Sequence, residues 1–149
     1  VVELSTGPRS RAQRVADARH RLEHDVDVWV ATGAGRPHLA PLSLDWDGEL
    51  VLLATGESTP TARNLLSGGS ARLALGTTRD VVSVEARLER HQPAEQVPAP
   101  VLERYRRRAG WLPGAGDVVL WLRPVRIQAW REVDEMPGRT LMVGGRWLD

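Results

Sequence analysis

Residues 56–66 read Gly-Glu-Ser-Thr-Pro-Thr-Ala-Arg-Asn-Leu-Leu, so hydroxyls, an arginine and an amide gather around one helix start. Thr59 before Pro60 marks that start. Threonine accepts from free first-turn amides, and proline at the first helical position loses an N–H that had no partner. A helix N-terminus carries partial positive charge and suits an anion such as phosphate. Ser58, Thr59 and Thr61 add hydroxyls, and Arg63 adds a cation able to fork two phosphate oxygens. The bland alternative is a well-capped helix with an arginine on its wet face, and capping is the commoner cause of such a pattern.

Other chemistry-bearing residues give weaker signals. His20 and His24 stand one helical turn apart, close enough to share a metal ion, but no further ligand cluster accompanies them, so no metal site is expected. Arg104, Arg106, Arg107 and Arg108 could touch phosphate, yet cations at a helix C-terminus more often favour the dipole and solvate the face. Gly33 and Gly35 precede Arg36-Pro37 and a strand, which makes a hairpin loop rather than a dinucleotide fingerprint. No paired carboxylates, Ser-His-Asp order or cysteine nucleophile stands out, so the catalytic residues stay unassigned.

A chain of 149 residues is expected to form a single domain over 1–149, with 1–8 a flexible N-terminal segment. Hydrophobic content of 42% and charged content of 26% are ordinary for a globular protein. No apolar run approaches the roughly 18 residues that cross a bilayer, and residues 1–10 lack a secretory layout, so no membrane association is expected. The absence of cysteine excludes disulfides and thiolate metal sites and fits a cytoplasmic protein. A net charge of +1 and an aromatic content of 5% provide neither the field nor the stacking platform for nucleic acid. All 20 basic residues are arginine, a bias of the kind GC-rich coding produces.

The elements follow from period and punctuation. Residues 9–25 read as a helix whose face carries Ala12, Val15, Ala16, Arg19 and Leu22. Val26, Val28 and Val30 begin a strand. Residues 37–46 form the next, with His38, Ala40, Leu42, Leu44 and Trp46 on one face. Pro41 inside it cannot donate to a ladder, so the strand is an edge or bulges there. The backbone thereby freed suits a planar ring with a polar edge, or the proline merely protects the edge. Asp47-Gly48 makes a hairpin turn into a buried strand, 49–55, and the helix from Thr59 stops at Gly68-Gly69. Strands follow at 70–76 and 81–90, then a helix at 101–109 and a last strand at 117–131. Strands in this order with short turns are buried most simply as an antiparallel barrel or closed sheet. Six tryptophans exceed what one small core needs and favour a homodimer.

This order resembles the split-barrel superfamily of pyridoxamine 5′-phosphate oxidase and the related flavin/deazaflavin oxidoreductases. The resemblance rests on residues 35–41 (Gly-Arg-Pro-His-Leu-Ala-Pro), 46–50 (Trp-Asp-Gly-Glu-Leu), 55–65, 71–76 and 123–130 (Arg-Pro-Val-Arg-Ile-Gln-Ala-Trp). It implies a mainly β chain with a few helices, a six-stranded antiparallel split β-barrel, and a homodimer with cofactor sites between subunits. It further implies a flavin-type ring along Pro41, Leu42 and Ser43, near His38, and a phosphate at Thr55, Ser58, Thr59, Thr61, Arg63 and Asn64. Many members carry Ser-Arg-Lys before Ala-Arg-Asn-Leu. Pro60 and Thr61 stand in place of the two cations here, with Arg36, Arg79 or an arginine of the other subunit as compensating candidates.

The function so implied is hydride transfer between F420 or FMN and an organic substrate, the resemblance to actinobacterial sequences placing F420 at least level with FMN and leaving the choice open. The alternative is a non-catalytic module for a cofactor or haem.

Overall fold

The computed structural model describes residues 7–148; the segment expected to be flexible lies mostly outside them. Helix α1 (Arg11–His24) leads into β1 (Asp27–Thr32), β2 (His38–Trp46) and β3 (Val51–Gly56). Helix α2 (Pro60–Gly68), β4 (Ser70–Thr77), β5 (Asp80–Pro93), α3 (Ala99–Ala109) and β6 (Asp117–Trp130) follow. A closing hairpin, β7 (Thr140–Val143) and β8 (Arg146–Trp147), occupies the stretch to which the sequence assigned no element.

The strands run in the order β3-β2-β1-β4-β5-β6, all antiparallel, and β3 also pairs with β6 from Val51↔Leu122 to Gly56↔Asp117. That pairing closes a six-stranded antiparallel barrel, with β7 and β8 added outside β6. Its interior holds Val30, Leu44, Leu53, Leu73, Val84, Leu120 and Ile127. α1 lies at the end where β1 begins. Its Arg21 reaches Asp80 at the opening of β5 (3.0 Å). α2 lies at the opposite end, where β1 stops, and contributes Ala62 and Leu65 to the core.

The buried face of α1 is Arg14, Ala18 and Leu22; of the face read from the sequence, Leu22 is buried and Val15 packs partly against the core, but Ala12, Ala16 and Arg19 are exposed. An arginine can lie there because its guanidinium donates to the carbonyls of Glu135 (2.8 Å), Pro137 (3.2 Å) and Arg9 (3.2 Å). Glu135, 2% exposed, accepts in turn from Arg9 (2.7 Å) and from the Arg131 N–H (2.8 Å). These bonds fasten the segment before α1 to the turn before β7.

β3 is buried along both faces. Val51 and Leu53 point into the barrel, while Leu52 and Ala54 join Val119, Trp121, Tyr105, Ala94 and Val97 in a second core beneath α3. A strand walled on both sides reads as a continuous apolar run.

Candidate cofactor site

β2 joins β3 only from Leu44↔Leu53 to Trp46↔Val51, although it pairs with β1 along its length. Towards α2 the two strands therefore part. The Leu44 N–H donates to the Val26 carbonyl on the β1 side (3.1 Å). By strand alternation the backbone N and O atoms of residues 39, 41 and 43 face the opening. Pro41 thus sits at a true edge, opposite Trp29 and without a bulge. Its missing N–H costs no ladder bond.

α2 starts on the other side of this opening, directly after β3. Thr59 is its N-cap: Oγ1 accepts from the Ala62 N–H (3.2 Å) and donates to the Gly56 carbonyl (2.9 Å). Gly69 ends the helix with φ +73°. The expected anion-binding hydroxyls divide accordingly. Thr59 is engaged in its cap, Thr55 is buried with its hydroxyl 3.4 Å from that of Thr59, and Thr61 is only 2% exposed. Ser58 and Arg63 are exposed, and among the described residues Arg63 has no acidic partner. An anion at α2 would therefore meet Ser58, Arg63 and backbone N–H groups.

The remaining expected residues fall on the opening's other wall. Leu42 and Ser43 are half-buried on β2. His38, half-buried at the start of β2, pairs with Thr32. Thr32 Oγ1 accepts from the Asn64 side-chain amide (3.1 Å), so Asn64 braces the β1–β2 turn against α2. That turn is tight: at Gly33, φ +93°, a Cβ would lie 2.6 Å from the Arg36 carbonyl oxygen and 3.3 Å from Asn64 Nδ2. Of the compensating arginines, Arg36 sits in this turn at the α2 end. Arg79 sits in the β4–β5 turn at the far end, bonded to Glu132 (3.2 Å), and is too remote to replace a cation at α2 within one chain.

Sequence reasoning missed what closes the opening from outside. Tyr105, fully buried on α3, donates its hydroxyl to the Ser43 carbonyl (3.2 Å) and faces the Ala54 backbone N–H and the Trp111 side chain. It bridges β2 and β3 where they part. Burial pushes its hydroxyl up to about 12. Arg104 donates to buried Asp45 (2.6 Å), and Arg108 donates to the Asp25 carbonyl (2.8 Å) at the end of α1. Arg104 and Arg108 thus clamp α3 to β2 and α1, while Arg106 and Arg107 stay exposed, as a solvated face would have them. A Tyr within an arginine-rich helix was the available signal.

A groove of about 740 Å³ runs along the outside at the α2 end, lined by Thr32, Asn64, Ser67, Ser70, Arg72 and Arg87 among others. Asn64 is the one expected residue it shares. Among the described residues no cluster of three metal-ligating side chains occurs, and no helix is long and apolar enough to cross a membrane.

No protein-family model and no curated protein matches the chain. Solved structures do. An F420 reductase superposes with a TM-score of 0.63 at 18% identity, over 73% of this chain and 94% of that one. A Listeria innocua protein named for pyridoxamine 5′-phosphate oxidase gives 0.58 at 13% identity, over 82% and 98%. A haem binding protein from Mycobacterium smegmatis gives 0.66 at 19% identity, over 92% of this chain and 59% of that one. The fold is the split β-barrel. At these identities the likeness concerns the backbone, and the split barrel's ligand has to be argued from its own side chains.

Proposed function

We propose that this split barrel binds a flavin-type cofactor, F420 or FMN, in the opening between β2 and β3 and, as a homodimer, passes a hydride between it and an organic substrate. The observation that carries this reading is the pairing of a β2 edge that β3 leaves free from His38 to Ser43 with a capped helix N-terminus bearing an exposed arginine that has no acidic partner among the described residues. The cofactor supplies the hydride chemistry; the protein binds and orients it. Ser58 and Arg63 would hold the phosphate, Asn64 and His38 would shape the turn beside it, and Pro41, Leu42 and Ser43 would flank the ring. Trp29 and Leu39, 49% and 60% exposed on the outer face of β1 and β2, give a second copy an apolar surface to cover.

A second reading is favoured by the burial of Thr61 and the loss of two cations: a non-catalytic module for a cofactor or haem, as the haem binding neighbour's description suggests. Fluorescence titration with FMN and F420 at low and high salt tests the cofactor, and reduction of a bound cofactor passed on to an added acceptor separates catalysis from mere binding. Micromolar binding that salt weakens supports the flavin reading, and binding of neither retires it. Arg63→Ala is expected to weaken binding about tenfold, the scale of one charge-assisted pair. An unchanged affinity would move the phosphate away from α2.

A further inference from the structure

The loop between α3 and β6 carries an apolar tip that no buried element claims. Trp111 is 38% exposed and Leu112 is 56% exposed, while Pro113 beside them is buried. Gly110 and Gly116 flank the tip with φ +84° and +85°, so the chain turns sharply into and out of it. The Asp117 carboxylate accepts from the Gly114 N–H (2.9 Å), and the Asp117 N–H donates to the Gly114 carbonyl (3.0 Å), which makes the tip a pinned turn.

Its position ties it to the opening from two sides. The Trp111 indole meets the Tyr105 ring edge-on, with centroids 5.8 Å apart, and Tyr105 is the residue bridging Ser43 and Ala54 where the strands part. At the other end of the loop the Gly116 carbonyl accepts from the Glu57 N–H (2.9 Å), one residue before Ser58. The loop therefore spans from the ring wall to the phosphate wall. Its tryptophan is oriented by Tyr105 and remains more than a third exposed.

Resting on the flavin reading above, we infer that Trp111 is the aromatic platform of this site: its indole stacks on the planar ring of the bound cofactor, and Leu112 covers the ring's edge. The ligand class is a planar heteroaromatic with a phosphate arm, the ring against the indole and the arm towards Ser58 and Arg63. A stacked aromatic of this kind contributes on the scale of a tenfold change in affinity. It also leaves an optical mark, because a stacked indole donates an electron to an excited flavin and quenches its emission, whereas a phenyl ring does not.

The test is titration of the full chain and of its Trp111→Ala and Trp111→Phe variants with FMN and with F420, reading affinity and the emission of the bound probe. Trp111→Ala is expected to bind about tenfold more weakly. Trp111→Phe keeps an aromatic edge against Tyr105; it is expected to lose less affinity and to restore the emission, which a merely structural role would not do. Wild-type binding with affinity and quenching both unchanged in Trp111→Phe overturns this inference alone. Binding of neither probe to the wild type overturns it together with the flavin reading.

Discussion

The two faces of the barrel wall make an instructive pair. β1 alternates strictly, with Val28 and Val30 buried and Trp29 standing 49% exposed between them, because no element among the described residues covers its outer side. β3 buries every residue from Val51 to Thr55, because α3 lies over it and over β6. The backbone geometry is alike in both strands. What differs is whether a helix was available to cover the outer face. The uncovered side, with Leu39 and Pro41 next to Trp29, is where the molecule can receive a partner, whereas the covered side is committed to its own stability.

Breaking the covered side should have the largest effect. Tyr105→Ala removes a fully buried ring and the hydroxyl bridge to Ser43, and is expected to lower unfolding stability by about 4 kcal/mol in a denaturant titration. A loss under 1 kcal/mol would show that α3 is not an integral part of the fold.

The clasp beside β7 comes next. The Glu135 carboxylate is held at about 2, against an ordinary 4.5, chiefly by its hydrogen bond from the Arg9 guanidinium. Its folded value lies below its unfolded one. The stabilisation is therefore full above the ordinary value and drains away as pH falls from about 4.5 towards 2. Glu135→Gln is expected to cost about 3 kcal/mol at neutral pH and to flatten that part of the acid-unfolding curve. An acid limb as steep as wild type would assign the transition to other carboxylates.

On the uncovered side the effect on folding should be smallest. Trp29→Ser is expected to change monomer stability by less than about 0.5 kcal/mol while shifting the sedimentation profile from dimer towards monomer. An unaltered profile would place the subunit contact elsewhere, and a large loss of stability would mean the face is not bare.

How much of this was legible depends on where the information lies. The Thr59-Pro60 start and Gly68-Gly69 stop of α2, the Asp47-Gly48 turn and the strand at 81–90 are local, and each appears where it was read, the strand a few residues longer. Pro41 marked the edge of the barrel opening correctly because a missing N–H constrains the strand directly. The face of α1 was misread in part, since two of the three carbonyls that satisfy buried Arg14 lie more than a hundred residues away. Likewise, Thr61 looked like an available hydroxyl, and burial is a property of the assembled core. The one tyrosine in the arginine-rich helix hinted at a buried role, but its partners Ser43 and Ala54 lie far back in the chain.

The closure of the ring carries a consequence for the order in which the protein assembles. Beyond its short pairing with β2, β3 finds its second partner only in residues 117–122 of β6, and β5 and β7 also lean on that same strand. A ribosome making this chain releases five strands before the one that unites them. Until then β3 waits with an unpaired edge and two apolar faces. Long-range pairing of this kind slows folding and exposes the nascent chain to association. The emergence of β6, rather than of the strands before it, decides whether a barrel forms at all.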